Sequence, residues 1–245
     1  MRSVAHKLST NKNPPIQSTQ STMPQETLLS WRAAYRIIPS CFPPINFFED
    51  MVSPDLMDAA FELEARTNDR LRNEIGEISL VKHSDRISGV GASPVMAAFT
   101  HIGKPSRFTD GMDFGIFYAA KTKQTAIVET RYHRERFLRY TSEEPGVTSM
   151  RCYSTKPLKP MIDIREGFPE LHNPDCYIKS QQFGRQMKLQ DKHGIIYSSV
   201  RHPGNDCIAV LRPKAVALCK QSAHYEYHWN GQSIEHVIEK IKVKI

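Results

Sequence analysis

The chain has 245 residues, of which 40% are hydrophobic and 24% are charged, and this balance excludes a wholly disordered protein. A chain of this length can bury roughly 70% of the surface that it exposes when unfolded, so it can form a sizeable core without disulfide or metal cross-links. The formal net charge of +7 and the isoelectric point near 9.1 favour anionic partners, such as a phosphate-bearing ligand, an acidic protein or a nucleic acid.

Targeting signals and metal-binding motifs are not evident in the sequence. It has no apolar run of about 20 residues, as a membrane-spanning helix requires, and no signal-peptide-like apolar stretch near its start. We therefore expect a cytoplasmic location without membrane association. Five scattered cysteines form no CxxC pair, which favours reduced, buried thiols over a disulfide framework or zinc ribbon. The ten histidines show no metal-ligand spacing beside carboxylates, so no metal site is predicted.

The composition divides the chain into an arm and a domain. Residues 1–27 are rich in polar residues and proline and are predicted to form a flexible arm, because they cannot bury enough apolar surface to offset the entropy of ordering. Residues 28–245 are predicted to form a single domain with a helical N-terminal portion, about residues 50–102. Ser53-Pro54 and Ser93-Pro94 each place a capping serine before a proline suited to the first helical turn.

Strands and helices are interspersed irregularly along the domain. Short apolar runs bounded by turn residues predict strands over residues 35–38, 115–120, 161–165, 195–200, 207–211 and 216–219. Helical spacing of apolar residues predicts helices after Ser53 and over residues 95–101, 125–140, about 173–190 and 234–241. This mixture is typical of an α+β fold rather than a doubly wound parallel sheet.

Several polar side chains interrupt apolar segments. Glu129 directly follows the apolar run 126–128, and Arg36 and Arg107 each adjoin aromatic and apolar residues. Taken one at a time, these residues are explained more simply by exposure on a helix or at a sheet edge than by function. Four arginines of the predicted helix 125–140 spread around it at 100° per residue, which favours a solvated face over a nucleic-acid surface: Arg131, Arg134, Arg136 and Arg139.

Six short motifs stand in order along residues 33–213. They are Tyr35-Arg36-Ile37, then Ala97-Ala98-Phe99 leading into Ser106-Arg107-Phe108, then Phe117-Tyr118-Ala119-Ala120, then Thr125-Ala126-Ile127-Val128-Glu129, then residues 177–182, and finally residues 194–201. Each motif alone is a weak signal. Together, in this order, they resemble the RES domain family, which is named for the Arg, Glu and Ser residues that its members share.

The resemblance implies a fold, an activity and a site. Members of the family are toxins of bacterial toxin–antitoxin pairs that destroy cellular NAD+. The implied fold is an ADP-ribosyltransferase-like core of mixed or antiparallel strands with surrounding helices, here with an N-terminal helical extension. The implied activity is that of an NAD+ phosphorylase or glycohydrolase, with NAD+ as substrate, inorganic phosphate as co-substrate and no separate cofactor. The implied site is lined by Arg36, Arg107, Tyr118, Glu129 and Ser199.

The chemistry of NAD+ suits these residue types. Nicotinamide leaves as a neutral base, so cleavage needs no general acid and produces an oxocarbenium-like ribose, which Glu129 is expected to stabilise through a ribose hydroxyl. Arg36 and Arg107 are suited to the pyrophosphate, and Tyr118 to the nicotinamide ring. The Ser199 hydroxyl is suited to a phosphate or an acceptor, and Ser198 is the alternative for this role.

The sequence defines the bond that is cleaved better than it defines the acceptor of the ADP-ribosyl group or the protein partner. Water, inorganic phosphate or a protein side chain could complete the reaction; the resemblance favours the first two, and the third would make the chain a mono-ADP-ribosyltransferase that modifies a target protein. The expected partner is an Xre-like antitoxin protein, and direct nucleic-acid binding is not expected. A nucleic-acid-binding protein without NAD+ chemistry is the alternative from another class, and its salt-dependent binding would survive loss of Glu129.

Overall fold

A computed structural model of the chain describes residues 24–40, 49, 76–241 and 243. These residues contain three α-helices: α1 (Ser93–Thr100), α2 (Lys123–Tyr140) and α3 (Ile178–Leu189). Their strands are β1 (Gln25–Thr27), β2 (Ala34–Pro39), β3 (Phe117–Ala120), β4 (Gly146–Thr155), β5 (Met161–Asp163), β6 (Gly194–Ser198), β7 (Asp206–Val210), β8 (Lys220–Trp229) and β9 (Ile234–Lys240). The described residues therefore form an α+β fold, as predicted.

All nine of these strands join one sheet in the order β1-β5-β6-β7-β3-β2-β4-β8-β9. Each neighbouring pair is antiparallel except β5 and β6, which are parallel. The short strand β3 lies at the centre of the sheet, between β7 and β2. Because the pairing is mostly antiparallel, the fold is not a doubly wound sheet.

Both faces of the sheet are covered, and successive strand residues alternate between two hydrophobic cores. On the first face, α1 packs against the middle strands in a core that contains Val95, Met96, Phe117, Ile196 and Ile208. On the second face, α2 and α3 pack against the same strands in a core that contains Ala126, Met187, Ile195, Ala209 and Tyr227. Alternation along each strand therefore decides which side chains reach the second face.

Local residues begin two of the predicted helices, as follows from the structure around Thr122 and Pro94. Thr122 caps α2, and its side-chain oxygen accepts a hydrogen bond from the backbone N–H of Thr125 at 3.1 Å. Pro94 lies in the first turn of α1, where its missing N–H costs nothing. The helices predicted over 95–101 and 125–140 are therefore confirmed, as are the strands within 35–38, 115–120, 195–200 and 207–211. The helix predicted from residue 173 begins only at Ile178.

The helix predicted over residues 234–241 is wrong, because this segment is strand β9. Its apolar residues have helical spacing, but only Ile234 is buried, whereas Ile238 is 48% exposed and Ile241 is 84% exposed. An apolar helical stripe here would have no core to contact. As a strand, the segment pairs with β8, which supplies hydrogen-bond partners for the backbone N–H and C=O groups along one edge. Asn230 shapes the connection, since its side-chain oxygen accepts hydrogen bonds from the N–H groups of Gln232 and Ser233.

Three other expectations need correction. Residues 216–219 form no named strand, because they follow a 3-10 helix at Pro213–Ala215 and contribute only an isolated bridge between Val216 and Pro157. The long strands β4 and β8 were not predicted. Within the stretch predicted as a flexible arm, residues 1–27, Gln25–Thr27 instead pairs with β5. Residues 1–23 and the helix predicted after Ser53 lie outside the described residues.

Gly184 on α3 permits a close approach that a side chain would prevent. A Cβ atom at this position would lie 2.0 Å from the carbonyl oxygen of Phe108. We predict that Gly184→Ala lowers the free energy of unfolding by about 1–3 kcal/mol, because the added Cβ clashes with the Phe108 carbonyl. This clash outweighs the higher helix propensity of alanine.

Urea or thermal denaturation measures this change. Gly146→Ala is the matched control, because the nearest atom to its new Cβ is the Glu144 oxygen at 3.8 Å, an ordinary contact. Equal stability of the two variants would contradict the proposed close packing of α3 on the segment that contains Arg107.

Candidate functional site

A hydrogen bond between Ser199 and Glu129 marks the candidate site on the second face of the sheet. Glu129 lies on α2, and Ser199 follows the end of β6. The Ser199 hydroxyl donates to Glu129 Oε1 at 2.6 Å. Within the described part of the chain, Oε2 of the half-buried Glu129 has no hydrogen-bond partner and the carboxylate forms no ion pair. One carboxylate oxygen is therefore held in place while the other can accept a hydrogen bond from a ligand.

The hairpin between β6 and β7 fixes the Ser199 hydroxyl. Ser199 is only 3% exposed, and its Oγ accepts a hydrogen bond from the backbone N–H of His202 at 2.9 Å. Its own N–H donates to the carbonyl oxygen of Asn205 at 2.7 Å. Ser198 points elsewhere, since its hydroxyl donates to the carbonyl oxygen of Arg165 at 3.4 Å. Ser199 is therefore the serine that reaches Glu129.

Tyr118, on β3, connects the sheet to the turn that contains Arg107. Its hydroxyl accepts a hydrogen bond from the N–H of Phe108 at 3.1 Å and lies 2.8 Å from Ser106 Oγ. Burial raises the pKa of Tyr118 to about 12, although both of these hydrogen bonds and the charge of Arg107 act in the opposite direction. The phenol therefore stays protonated and anchors residues 106–109 over the second face.

Arg107 is buried and is held by backbone carbonyl groups rather than by a carboxylate. Its Nη1 donates to the carbonyl oxygens of Asn173 at 2.9 Å and Leu171 at 3.3 Å, and its Cζ lies 4.6 Å from the centre of the Tyr177 ring. From α3, Gln181 donates to the carbonyl oxygens of Ser106 and Thr109 and so supports the same turn. These contacts orient the guanidinium while leaving its charge unneutralised.

Three residues that were not assigned to the site complete it: His133, Arg136 and Arg201. His133 and Arg136 follow Glu129 by one and two helical turns on the same side of α2. Partial desolvation lowers the pKa of His133 below its ordinary value of 6.5; Glu129 opposes this shift, whereas Arg201, Arg107 and Arg136 add to it. The i, i+4, i+7 spacing from Glu129 could have identified the first two residues. Arg201 is the last residue of the sixth RES-type motif, residues 194–201, but the resemblance assigned it no role.

Arg36 is the predicted site residue that the structure places elsewhere. In β2 its neighbour Ile37 packs in the core of the second face, whereas Arg36 pairs with Tyr153 and lies on the first face. Its Cζ lies 4.8 Å from the centre of the Phe117 ring, and its Nη1 donates to the carbonyl oxygen of Tyr118 at 3.3 Å. Burial lowers the pKa of Arg36 to about 10. The structure thus brings together four of the five predicted residues: Arg107, Tyr118, Glu129 and Ser199.

The described residues contain neither a metal-binding cluster nor a membrane-spanning helix. Among the described residues, no three His, Cys, Asp or Glu side chains gather where they could hold a metal ion. Within the same residues, no helix combines the length and apolar character needed to cross a membrane. A concavity of about 310 Å³ lies at the other end of the sheet, against β4, β8 and β9, and its lining includes neither Glu129 nor Ser199.

The raised pKa of Tyr118 predicts a loss of stability at alkaline pH. The unfolded chain releases this proton near pH 10, whereas the folded chain retains it until about pH 12. The contribution of the protonated Tyr118 phenol to the free energy of unfolding is therefore complete below pH 10 and is lost as the pH rises toward 12. We predict that Tyr118→Phe makes the decline of the unfolding free energy shallower by about 1.4 kcal/mol per pH unit in this range.

Urea denaturation between pH 9 and 11.5 tests this prediction. Tyr140→Phe is the matched control, since the Tyr140 side chain is 89% exposed. Parallel pH profiles for the wild type and Tyr118→Phe would show that the Tyr118 phenol is not buried in solution.

The chain is similar to known proteins over most of its length. Uncharacterized protein y4oC of Sinorhizobium fredii is 34% identical over 201 residues, which cover 82% of this chain and 84% of that protein. The crystal structure of the M. tuberculosis MbcT–MbcA toxin–antitoxin complex aligns with a TM-score of 0.41 and 11% identity, over 85% of this chain and 87% of that chain. The family model of the RES domain matches residues 85–230, more than half of the chain. The chain therefore belongs to the RES domain family.

Proposed function

We propose that this protein is an NAD+-consuming toxin that breaks the bond between nicotinamide and ribose. The observation that carries the proposal is the Glu129 carboxylate, with Oε1 held by Ser199 and no described partner on Oε2. It lies among basic side chains, in a site that also contains the buried Arg107. Membership of the RES domain family supports the assignment, since the family is one of NAD+-degrading toxins.

The chemistry needs a positioned carboxylate and little else. Nicotinamide departs as a neutral base, so no proton donor is required for the leaving group. Glu129 Oε2 would accept a hydrogen bond from a ribose hydroxyl and stabilise the positive charge that develops on the ribose. Ser199 acts through Glu129, because its hydroxyl fixes the orientation of the carboxylate. Tyr118 would border the nicotinamide as well as hold the segment that contains Arg107.

Inorganic phosphate is the acceptor that the charge of the site favours. Three arginines, Arg107, Arg136 and Arg201, lie near enough to His133 and Glu129 for their charges to lower the pKa of His133. A phosphate dianion would be attracted to this cluster and would attack the anomeric carbon, giving ADP-ribose phosphorylated at that carbon and free nicotinamide. Water in the same place would give ADP-ribose. A protein acceptor would leave the ADP-ribosyl group on a target.

An enzyme that depletes NAD+ must be blocked in the cell that makes it. We therefore propose an antitoxin partner of the Xre-like type that covers the site, in keeping with the family to which the chain belongs. A basic chain favours an acidic surface on this partner. The expected setting is the cytoplasm, where NAD+ is available.

We predict that the purified chain consumes NAD+ and that Glu129→Gln lowers the rate at least about 100-fold. The amide keeps the shape of the carboxylate but removes the negative charge that stabilises the transition state. NAD+ loss is followed with and without inorganic phosphate, and the products are identified by phosphorus NMR and mass spectrometry. Glu144→Gln, at an exposed position, is the matched control.

The products distinguish the possible acceptors. Phosphorylated ADP-ribose that forms only with added phosphate supports phosphorolysis, whereas ADP-ribose alone shows hydrolysis. A wild-type protein freed of bound partner that leaves NAD+ intact, but labels a protein in lysate, would overturn the proposal in favour of ADP-ribosyl transfer.

A cellular measurement tests the toxin assignment separately. We predict that induced expression of the wild type arrests growth within about one generation and lowers the cellular NAD+ pool at least several-fold, whereas Glu129→Gln does neither at equal protein level. Growth arrest with an unchanged NAD+ pool would contradict the proposed substrate.

A further inference from the structure

The geometry points to Arg201, together with Arg107, as the pair of arginines that binds the diphosphate of the substrate. This inference rests on the proposed function and adds to it a residue that none of the RES-type motifs assigned to the site. It also replaces Arg36 in the role of second diphosphate ligand. The ligand class is therefore a nucleoside diphosphate linked to a ribose, of which NAD+ is one member.

Arg107 and Arg201 are held in the same way. The Cζ of Arg201 lies 3.6 Å from the centre of the Tyr132 ring, just as that of Arg107 lies above Tyr177. Arg201 Nη2 donates to the carbonyl oxygen of Pro174, and Arg107 Nη1 donates to that of the preceding residue, Asn173. Consecutive carbonyl groups of one turn therefore hold two guanidinium groups close to each other.

Neither guanidinium is neutralised within the described part of the chain. No carboxylate there forms an ion pair with Arg107 or Arg201, and within those residues both guanidinium groups donate only to backbone carbonyl oxygens. The Nε of Arg201 is buried without a hydrogen-bond partner. Holding two like charges together and leaving a buried donor unpaired both cost free energy. A ligand with two adjacent anionic groups would relieve both costs.

A diphosphate fits this arrangement better than a single phosphate does. Each planar guanidinium can contact one phosphate through a two-pronged fork while its face stays on a tyrosine ring. The position along the chain also agrees, because Arg201 lies two residues after Ser199, which contacts Glu129. In NAD+ only one ribose separates the diphosphate from the bond that breaks. A carboxylate at that bond therefore requires the diphosphate ligands to lie close by.

Arg36 cannot serve as the second ligand in this structure. Its side chain lies on the first face of the sheet, against Phe117, whereas Glu129 and Ser199 lie on the second face. Moving it to Glu129 would require β2 to turn over, which would place Ile37 on the opposite core. Its hydrogen bond to the Tyr118 carbonyl instead supports β3 from the first face of the sheet.

The test compares Arg201→Ala and Arg201→Lys with the wild type. For Arg201→Ala we expect the KM for NAD+ and the calorimetric Kd for ADP-ribose to rise about 10- to 100-fold, the effect typical of losing a charge-assisted hydrogen bond. The value of kcat should change only a few-fold, because Arg201 does not touch the bond that breaks. The KM and Kd of Arg201→Lys should lie between those of the wild type and Arg201→Ala, since an ammonium group keeps the charge but loses the two-pronged contact.

Arg139→Ala is the matched control, because this exposed arginine pairs with Glu135 away from the site. Thermal unfolding establishes that each variant is folded, and Arg201→Lys replaces Arg201→Ala if the latter is not. Unchanged affinity for ADP-ribose in a folded Arg201 variant overturns the inference, whether or not NAD+ is consumed.

The outcomes separate this inference from the proposed function. A wild type that binds ADP-ribose through Arg201 but leaves NAD+ intact would sustain the inference while the proposed activity fails. If the wild type consumes NAD+ and Arg201→Ala leaves the KM unchanged, the proposed activity stands and the inference about Arg201 fails. A wild type that neither consumes NAD+ nor binds ADP-ribose would overturn both.

Discussion

The hydrogen bond between Ser199 and Glu129 joins two parts of the chain that the rest of the site depends on. Glu129 extends from the middle of α2, and Ser199 stands where β6 ends and the hairpin to β7 begins. Because Ser199 Oγ also accepts the N–H of His202, its proton is available for the carboxylate. The helix, the hairpin and the carboxylate therefore keep one relative orientation. Hydrogen bonds to backbone groups position Arg107, Arg201 and Tyr118 around this contact.

The alternation of the sheet decides which polar residues can take part. Tyr118 and Arg36 lie on neighbouring strands and both interrupt apolar sequence, yet they reach opposite faces. From the sequence alone they look equivalent. The difference arises from the register of β2 against β3, where Tyr35 opposes Ala120, so that Ile37 and not Arg36 shares a face with Tyr118. Pairing register is a long-range property, and no local pattern in the sequence encodes it.

Local signals and the family motifs predicted a good part of the molecule, and distant pairing accounts for what was missed. The capping residue Thr122 and the proline in α1 act through their immediate neighbours, so the helices that follow them could be predicted. Strand β9 could not, because its conformation depends on β8 rather than on its own apolar spacing. Likewise Arg201 joins the site only because the turn at Asn173 and Pro174 folds against the hairpin that contains it. The four residues that do gather on the second face were found from motifs rather than from periodicity.

Two arginines outside the site, Arg165 and Arg212, have partners of a different kind from those of Arg107 and Arg201. Arg165 forms hydrogen bonds with Asp163 and Asp206, which raise its pKa above the ordinary value, and Arg212 forms a forked pair with Asp85. Both of these arginines are thus stabilised in their charged form by a carboxylate. Arg107 and Arg201 have only carbonyl oxygens and tyrosine rings as described partners, which orient a guanidinium without neutralising it. Such an arrangement sacrifices some stability of the free protein and leaves two positive charges available beside a carboxylate, which is the condition for binding an anionic substrate whose reacting end becomes positive.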